Sequence, residues 1–323
     1  MKKRILFSAL IAFCMLLCSC GIGRVTYLEK ETRENLRETV DFIQLWYCKK
    51  FTADDWEKHI SGLEKQGYSA IILQSTCEFD ENGFLAADDS GNVFPDETVN
   101  ALLAVAEKKD FGVYLGLASS DLWWKTKLYR KNADRWGNFQ AEAAELAYKA
   151  GKNYKSFKGF YMPFEVYTNP FRYEKYWAET CNVLIGKLNE LAPGYPLILS
   201  PYKSGLYKMS KRGIYDFAER LFSSIDFREY DIVAPQDGSG NAAPGFTVDT
   251  EREVNEFLSA FYTAAERVGK CRFGVNIEFF TCEKNRYATE SRIKRQREIA
   301  NRYASVILSF SYSHYFAPEI GNG

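Results

Sequence analysis

Charge of one sign is missing from this 323-residue chain, in which Lys and Arg total 42 and Asp and Glu also total 42. With no net field there is no electrostatic footprint for nucleic acid or for an acidic membrane surface. Histidine is nearly absent. His59 and His314 are far apart in sequence and belong to no carboxylate-histidine motif, so no metal site is expected. His59 falls in the first helical pattern and is expected to be exposed, whereas His314 lies beyond the last strand and can reach a site there. The cysteines form no C-x-x-C pair, which removes zinc ribbons and thioredoxin-like redox chemistry. No G-x-G-x-x-G follows the first strand-like run and no G-x-S-x-G elbow occurs, which argues against a dinucleotide fold and an α/β-hydrolase. The acidic turns between 77 and 94 lack the spacing of an EF-hand and read as solvated turns. No obligatory cofactor is expected.

What is present begins with a targeting signal. Lys2, Lys3 and Arg4 precede an apolar run at 5–17, too short to span a bilayer, and the small residue Ser19 precedes Cys20. The tetrapeptide Leu17-Cys18-Ser19-Cys20 resembles the bacterial lipobox, which implies lipidation of Cys20 and anchoring in the cell envelope without a spanning helix. An ordinary secretory signal cleaved nearby is the alternative. The expected organisation is a lipoprotein signal peptide at 1–19, a charged tether at 20–39 and one barrel domain at 40–323. Of the eight cysteines, two leave with the signal and Cys20 takes the lipid. Cys48, Cys77, Cys181, Cys271 and Cys282 remain, an odd number in an export compartment, so at least one is free or pairs between chains.

From residue 40 onward, short apolar or aromatic runs alternate with longer helical patterns. Strands are expected at 40–46, 69–75, 111–119, 157–165, 196–202, 231–237, 272–280 and 304–312. Helices are expected at 52–67, 96–109, 138–150, 173–191, 212–224, 249–268 and 289–302. Eight strands alternating with seven helices predict an α/β fold, a (β/α)8 TIM barrel without a regular eighth helix. The insertion at 77–94, with its turn clusters, reads as a β-hairpin or lid over the barrel mouth.

Barrels of this kind gather their active sites at the C-terminal strand ends. Those ends, and the loops just beyond, hold Gln44, Trp46, Gln74, Asp121, Trp123, Tyr167, Tyr202, Gln236, Asp237, Asn276 and His314 as candidate substrate-binding groups. Aromatic faces among them suit the apolar face of a sugar ring, although large aromatics more often pack in cores. Asp237, in "PQDGSG", fits equally an Asx turn or a sugar contact. Two ends carry glutamates, Glu165 on strand four and Glu278 on strand seven, nearly across the barrel from each other. Retaining glycoside hydrolysis needs two facing carboxyl groups, one to donate a proton and one to attack the anomeric carbon.

This placement is similar to the large clan of retaining glycosidases on barrel folds. The resemblance implies Glu165 as acid/base and Glu278 as nucleophile. That clan has Asn immediately before its acid/base, where this chain has Phe164. The contact to the sugar 2-hydroxyl would then fall to Asn276, Gln236 or Asn169. A more specific resemblance rests on "FIQLW" (42–46), "GYSAIILQ" (67–74), "GFYMPFE" (159–165), "SPYKSG" (200–205), "APQDGSG" (234–240) and "GVNIEFF" (274–280). Together they resemble the bacterial domain-of-unknown-function 4434 family of glycoside-hydrolase-like barrel lipoproteins, over roughly residues 40–316. The expected partner is an oligo- or polysaccharide. The two functions open at this point are a glycoside hydrolase and a non-catalytic glycan-binding lipoprotein using the same barrel face.

Overall fold

A computed structural model describes residues 38–80, 84–87, 91–124, 132–205, 207–241, 247–281 and 286–317. Cys20, the signal peptide and the tether up to residue 37 lie outside the described residues. Eight parallel strands close into a barrel: β1 (Glu38–Ile43), β2 (Ala70–Leu73), β3 (Gly112–Gly116), β4 (Phe157–Met162), β5 (Leu197–Leu199), β6 (Ile232–Val233), β7 (Arg272–Glu278) and β8 (Val306–Phe310). Closure comes from β8 pairing with β1 in the register Glu38 to Val306 through Asp41 to Ser309. A closed sheet leaves no strand edge to be capped.

Among the described residues seven long helices alternate with the strands: α1 (Ala53–Lys65), α2 (Asp96–Lys108), α3 (Ala133–Gly151), α4 (Glu174–Leu191), α5 (Lys211–Ser224), α6 (Val248–Val268) and α7 (Glu290–Ala300). Their starts follow from local chemistry. Thr52 and Asp55 form a reciprocal capping box on α1, and Ser210, Thr247 and Thr289 accept backbone N–H bonds at the starts of α5, α6 and α7. Each such cap contributes about 1 kcal/mol. After β8 the chain forms a single helical turn, Tyr312–Tyr315, instead of a long helix.

Strand residues alternate between two cores. Val40, Phe42, Ile72, Tyr114, Tyr161, Ile198 and Leu308 fill the barrel interior. Ile43, Leu73, Leu115, Met162, Leu199 and Ile277 face the helices. Burial on both faces is what a parallel sheet wrapped by helices requires.

Three expectations need correction. The strands are shorter than the apolar runs, which continue past the last ladder pair because residues such as Phe164, Val166 and Phe279 pack beneath the loops. His59 is buried: it lies on the inward stripe of α1 with Trp56, Ile60 and Leu63, and its Nε2 sits 2.8 Å from the Ser313 hydroxyl. Burial lowers its pKa to about 4. The described part of the 77–94 insertion has the hairpin pairing expected of it: Asp80 N–H donates to the Phe84 carbonyl and Ala86 N–H to that of Glu78, both at 2.8 Å. Cys77–Glu78 pairs in parallel with Ala118–Ser119, Phe79 bridges Leu85, and the Phe79 ring packs 4.6 Å from that of Phe139 on α3. The third correction, to Trp123, concerns the mouth and is given below. Cys48, Cys77, Cys181 and Cys271 are all unbridged thiols, and Cys282 lies outside the described residues.

Candidate active site at the barrel mouth

On β1, β2, β4, β5, β6 and β7 the inward-facing parity ends in a polar or aromatic residue. Gln44 and Gln74 are partly buried just beyond β1 and β2, Glu165 and Tyr167 follow β4, and Tyr202 follows β5. Tyr167 and Tyr202 form a parallel β-bridge with ring centroids 5.8 Å apart. Gln236 pairs with Asn276 across β6 and β7, and Glu278 ends β7.

Glu165 is held by few contacts. Its Oε1 accepts from Gln236 Nε2 at 3.0 Å, and the same amide reaches the Ser200 carbonyl at 3.4 Å. Burial raises its pKa, and the Gln236 bond offsets that only in part. A raised pKa favours the protonated form that a general acid needs. The Glu165 charge in turn helps to hold the Tyr161 and Tyr202 hydroxyls above the ordinary phenol range, although burial is the larger cause for both.

Glu278 is held more tightly. Its Oε2 accepts a short bond from the Gly240 N–H. A Cβ on Gly240 would come 2.7 Å from that oxygen and 2.4 Å from the Phe280 ring, so a larger residue would displace one of those side chains. Burial pushes the Glu278 pKa up to about 8, with the Asp237 charge second. The Gly240 amide and the Arg292 guanidinium act the other way.

Asp237, buried beside it, accepts from Ser239 N at 3.0 Å, Glu278 N at 3.4 Å and Gln296 Nε2 at 2.6 Å. It is therefore both an Asx-turn residue and the charge that most raises the Glu278 pKa, and its buried side chain is not an open sugar contact. Arg292 and Gln296, one turn apart on α7, complete the support. Arg292 Nη2 donates to the carbonyls of Glu278 and Phe280, and Gln296 Nε2 donates to that of Glu278. Neither was expected to contribute. The available signal was that they share the inward stripe of α7 with Ile299 and Ala300.

Asn276 is buried below Glu278 and donates to the Ser200 hydroxyl at 3.1 Å, which also links it towards Gln236. Asn169 is committed to its own loop: its Oδ1 accepts from Phe171 N at 2.9 Å. Phe164 and Trp123 explain each other. Their rings stack at 4.3 Å and 9°, both buried, and the Trp123 Nε1 donates to the Glu165 carbonyl at 2.9 Å. Trp123, expected to face a sugar, instead braces the backbone of Glu165, because the apolar side chain before Glu165 demands an apolar partner. Asp121 opens the 3₁₀ turn Asp121–Trp124, and its side chain, like that of Trp124, lies outside the described part. Trp46 and His314 meet at the rim near Gln44. Among the described residues no group of three or more His, Cys, Asp or Glu is placed to hold a metal ion.

Fold and mouth together define the class: a (β/α)8 barrel with carboxyl groups at the C-terminal ends of its strands. The chain belongs to the family Domain of unknown function (DUF4434), which it matches over residues 41–321. No curated protein sequence matches it. Among solved structures it is similar to a candidate alpha-L-fucosidase from Bacteroides thetaiotaomicron VPI-5482, with a TM-score of 0.65 and 18% identity over 88% of this chain and 90% of that one. It is also similar to the hyperthermostable endo-1,4-beta-D-mannanase of Thermotoga petrophila RKU-1, with a TM-score of 0.61 and 8% identity over 88% and 89%. A Pyrococcus furiosus chitinase domain follows, with a TM-score of 0.52 and 10% identity over 85% and 83%. At such identities the likeness speaks to the fold.

Proposed function

We propose that this protein is a retaining glycoside hydrolase in which Glu165 is the acid/base and Glu278 the nucleophile. The observation that carries this reading is a pair of glutamates at one barrel mouth, each held by the same strand connection. Gln236 donates to Glu165, and Gly240, four residues on, donates to Glu278. In the first step a Glu278 oxygen attacks the anomeric carbon, the bond to the leaving oxygen breaks, and that oxygen takes the Glu165 proton. In the second, Glu165 removes a proton from water, the water oxygen attacks the same carbon, and Glu278 departs as a carboxylate. Attack needs Glu278 ionised, and the Gly240 amide and Arg292 favour that form. Cationic character developing at the sugar favours it further.

A non-catalytic glycan-binding protein is the second reading. The feature favouring it is Glu278 itself, since burial and the Asp237 carboxylate raise its pKa and so disfavour the ionised form that attack needs. Trapping decides between them. Glu165→Gln, supplied with aryl glycosides carrying activated phenols, should form the glycosyl-enzyme and hydrolyse it slowly, leaving an adduct on Glu278 in peptide mass maps. Glu278→Gln should lose turnover by at least about a thousandfold while still binding glycan. Tight glycan binding by the wild type with neither cleavage nor adduct would establish the binding reading instead. Envelope anchoring through Cys20 belongs to the same proposal, motivated by Leu17-Cys18-Ser19-Cys20. It predicts that Cys20→Ala moves the protein from the membrane to the soluble fraction.

A further inference from the structure

Trp46 is the most exposed large hydrophobic side chain among the described residues, at 66%. A single exposed aromatic is ordinary on a protein surface. This one is held in place. Its Nε1 donates to Gln44 Oε1 at 3.1 Å, and one face of the indole stacks on the His314 ring at 5.5 Å and 21°. His314 is fixed in turn, because its Nε2 accepts the Gln44 backbone N–H at 3.2 Å, which requires the unprotonated nitrogen. Ordering a large side chain costs rotamer entropy, and core burial does not offset that cost here. The ordered outer face of the indole is a flat apolar surface turned to solvent.

That surface is continuous with the reacting centre. The Phe280 ring lies against Gly240, whose amide holds Glu278. From Phe280 the aromatic rings continue to Phe310 at 6.2 Å, to His314 at 6.0 Å and to Trp46 at 5.5 Å. All four are at least partly exposed. They stand on β7, β8 and β1 or just beyond, three adjacent strands of the barrel, so the track runs along one arc of the rim from Glu278 outward. A monosaccharide held at Glu278 would leave the outer end of this track uncovered. A chain of pyranose units, with apolar C–H faces repeating along its length, would cover it and remove the indole face from water.

We infer that Trp46 forms a distal subsite for an extended oligosaccharide or polysaccharide chain, reached from Glu278 along the Phe280–Phe310–His314 track. The inference rests on the proposed function in taking Glu278 as the reacting centre. Binding separates the two. Manno-, cello- and chito-oligosaccharides, as disaccharides and hexasaccharides, are titrated calorimetrically into Glu278→Gln protein with and without Trp46→Ala or Trp46→Phe. At least one hexasaccharide should bind more tightly than its disaccharide. Trp46→Ala should weaken the hexasaccharide roughly threefold to tenfold, the range expected for one aromatic contact, and abolish the length dependence. Trp46→Phe should restore most of it. With turnover, the ratio of kcat/KM for hexasaccharide over aryl monoglycoside should fall by a similar factor in Trp46→Ala. Equal loss on long and short ligands, no loss on hexasaccharides, or no length-dependent binding by any probe would overturn the distal subsite. Binding without any turnover in the wild type would overturn the hydrolase and leave the subsite standing.

Discussion

Two buried carboxylate sites at opposite ends of this barrel are built on opposite plans. At the N-terminal end, Asp231 clasps the starts of β5 and β6. It accepts Arg228 Nη2 at 2.6 Å, Arg228 Nε at 3.0 Å, and the backbone N–H groups of Leu197 and Arg228 at 2.8 and 2.9 Å. A full positive charge and a closed set of donors make it a rivet. At the mouth, Glu165 has one side-chain donor, and Glu278 has one backbone donor with another carboxylate beside it. The Arg292 guanidinium donates to the Glu278 and Phe280 carbonyls and to Gln296, not to the carboxylate. Stability would be better served by pairing these groups or replacing them, since an unpaired buried charge is costly. A fold that leaves its mouth carboxyls short of partners while saturating Asp231 separates a working surface from a structural one.

Breaking the rivet should give the larger effect. Arg228→Ala leaves Asp231 buried without its cation, and such losses cost about 3–5 kcal/mol. Denaturant unfolding should show that loss, while the protein that remains folded keeps its turnover and its pH profile. A changed pH profile would mean that the two ends are coupled.

Sharpening the mouth should give a smaller effect of a different kind. Asp237→Asn removes the charge that, after burial, most raises Glu278. The Glu278 pKa should therefore fall from about 8. Attack needs the ionised form, so the acid limb of kcat/KM, rising with pH through that pKa, should move to lower pH. Relative activity below neutrality should increase. A limb that stays in place would show that Glu278 is not the group titrating there.

The sign of the stability change is separate from the rate. A buried acid whose folded pKa lies above its unfolded value contributes most to stability at low pH. That contribution is lost as pH rises through the folded pKa, which for Glu278 is about 8. Asp237→Asn should therefore narrow the loss of stability on the alkaline side of neutrality, measured by unfolding at several pH values.

The sequence by itself determined the barrel. Eight apolar runs separated by amphipathic stretches admit few arrangements in which strands buried on both faces remain hydrogen-bonded, and closure with helices outside is one of them. It also determined which strand ends carry Glu165, Gln236 and Glu278, because strand order alone puts those ends on one face. Even the burial of His59 was written in its spacing from Trp56, Ile60 and Leu63, one apolar helical stripe. Tertiary structure alone decided what those groups touch. Phe164 and Trp123 are 41 positions apart, and only packing under the β4 loop turned both rings away from the mouth to brace Glu165. Gln296 and Arg292 come from a mostly charged helix that nothing local ties to Asp237. The proton balance at Glu278, on β7, depends on burial and on a carboxylate and a glycine amide that both come from the connection after β6. Periodicity is a property of neighbours along the chain, so it specifies elements; a site's electrostatics depends on distances across space, and those exist only once the barrel has closed.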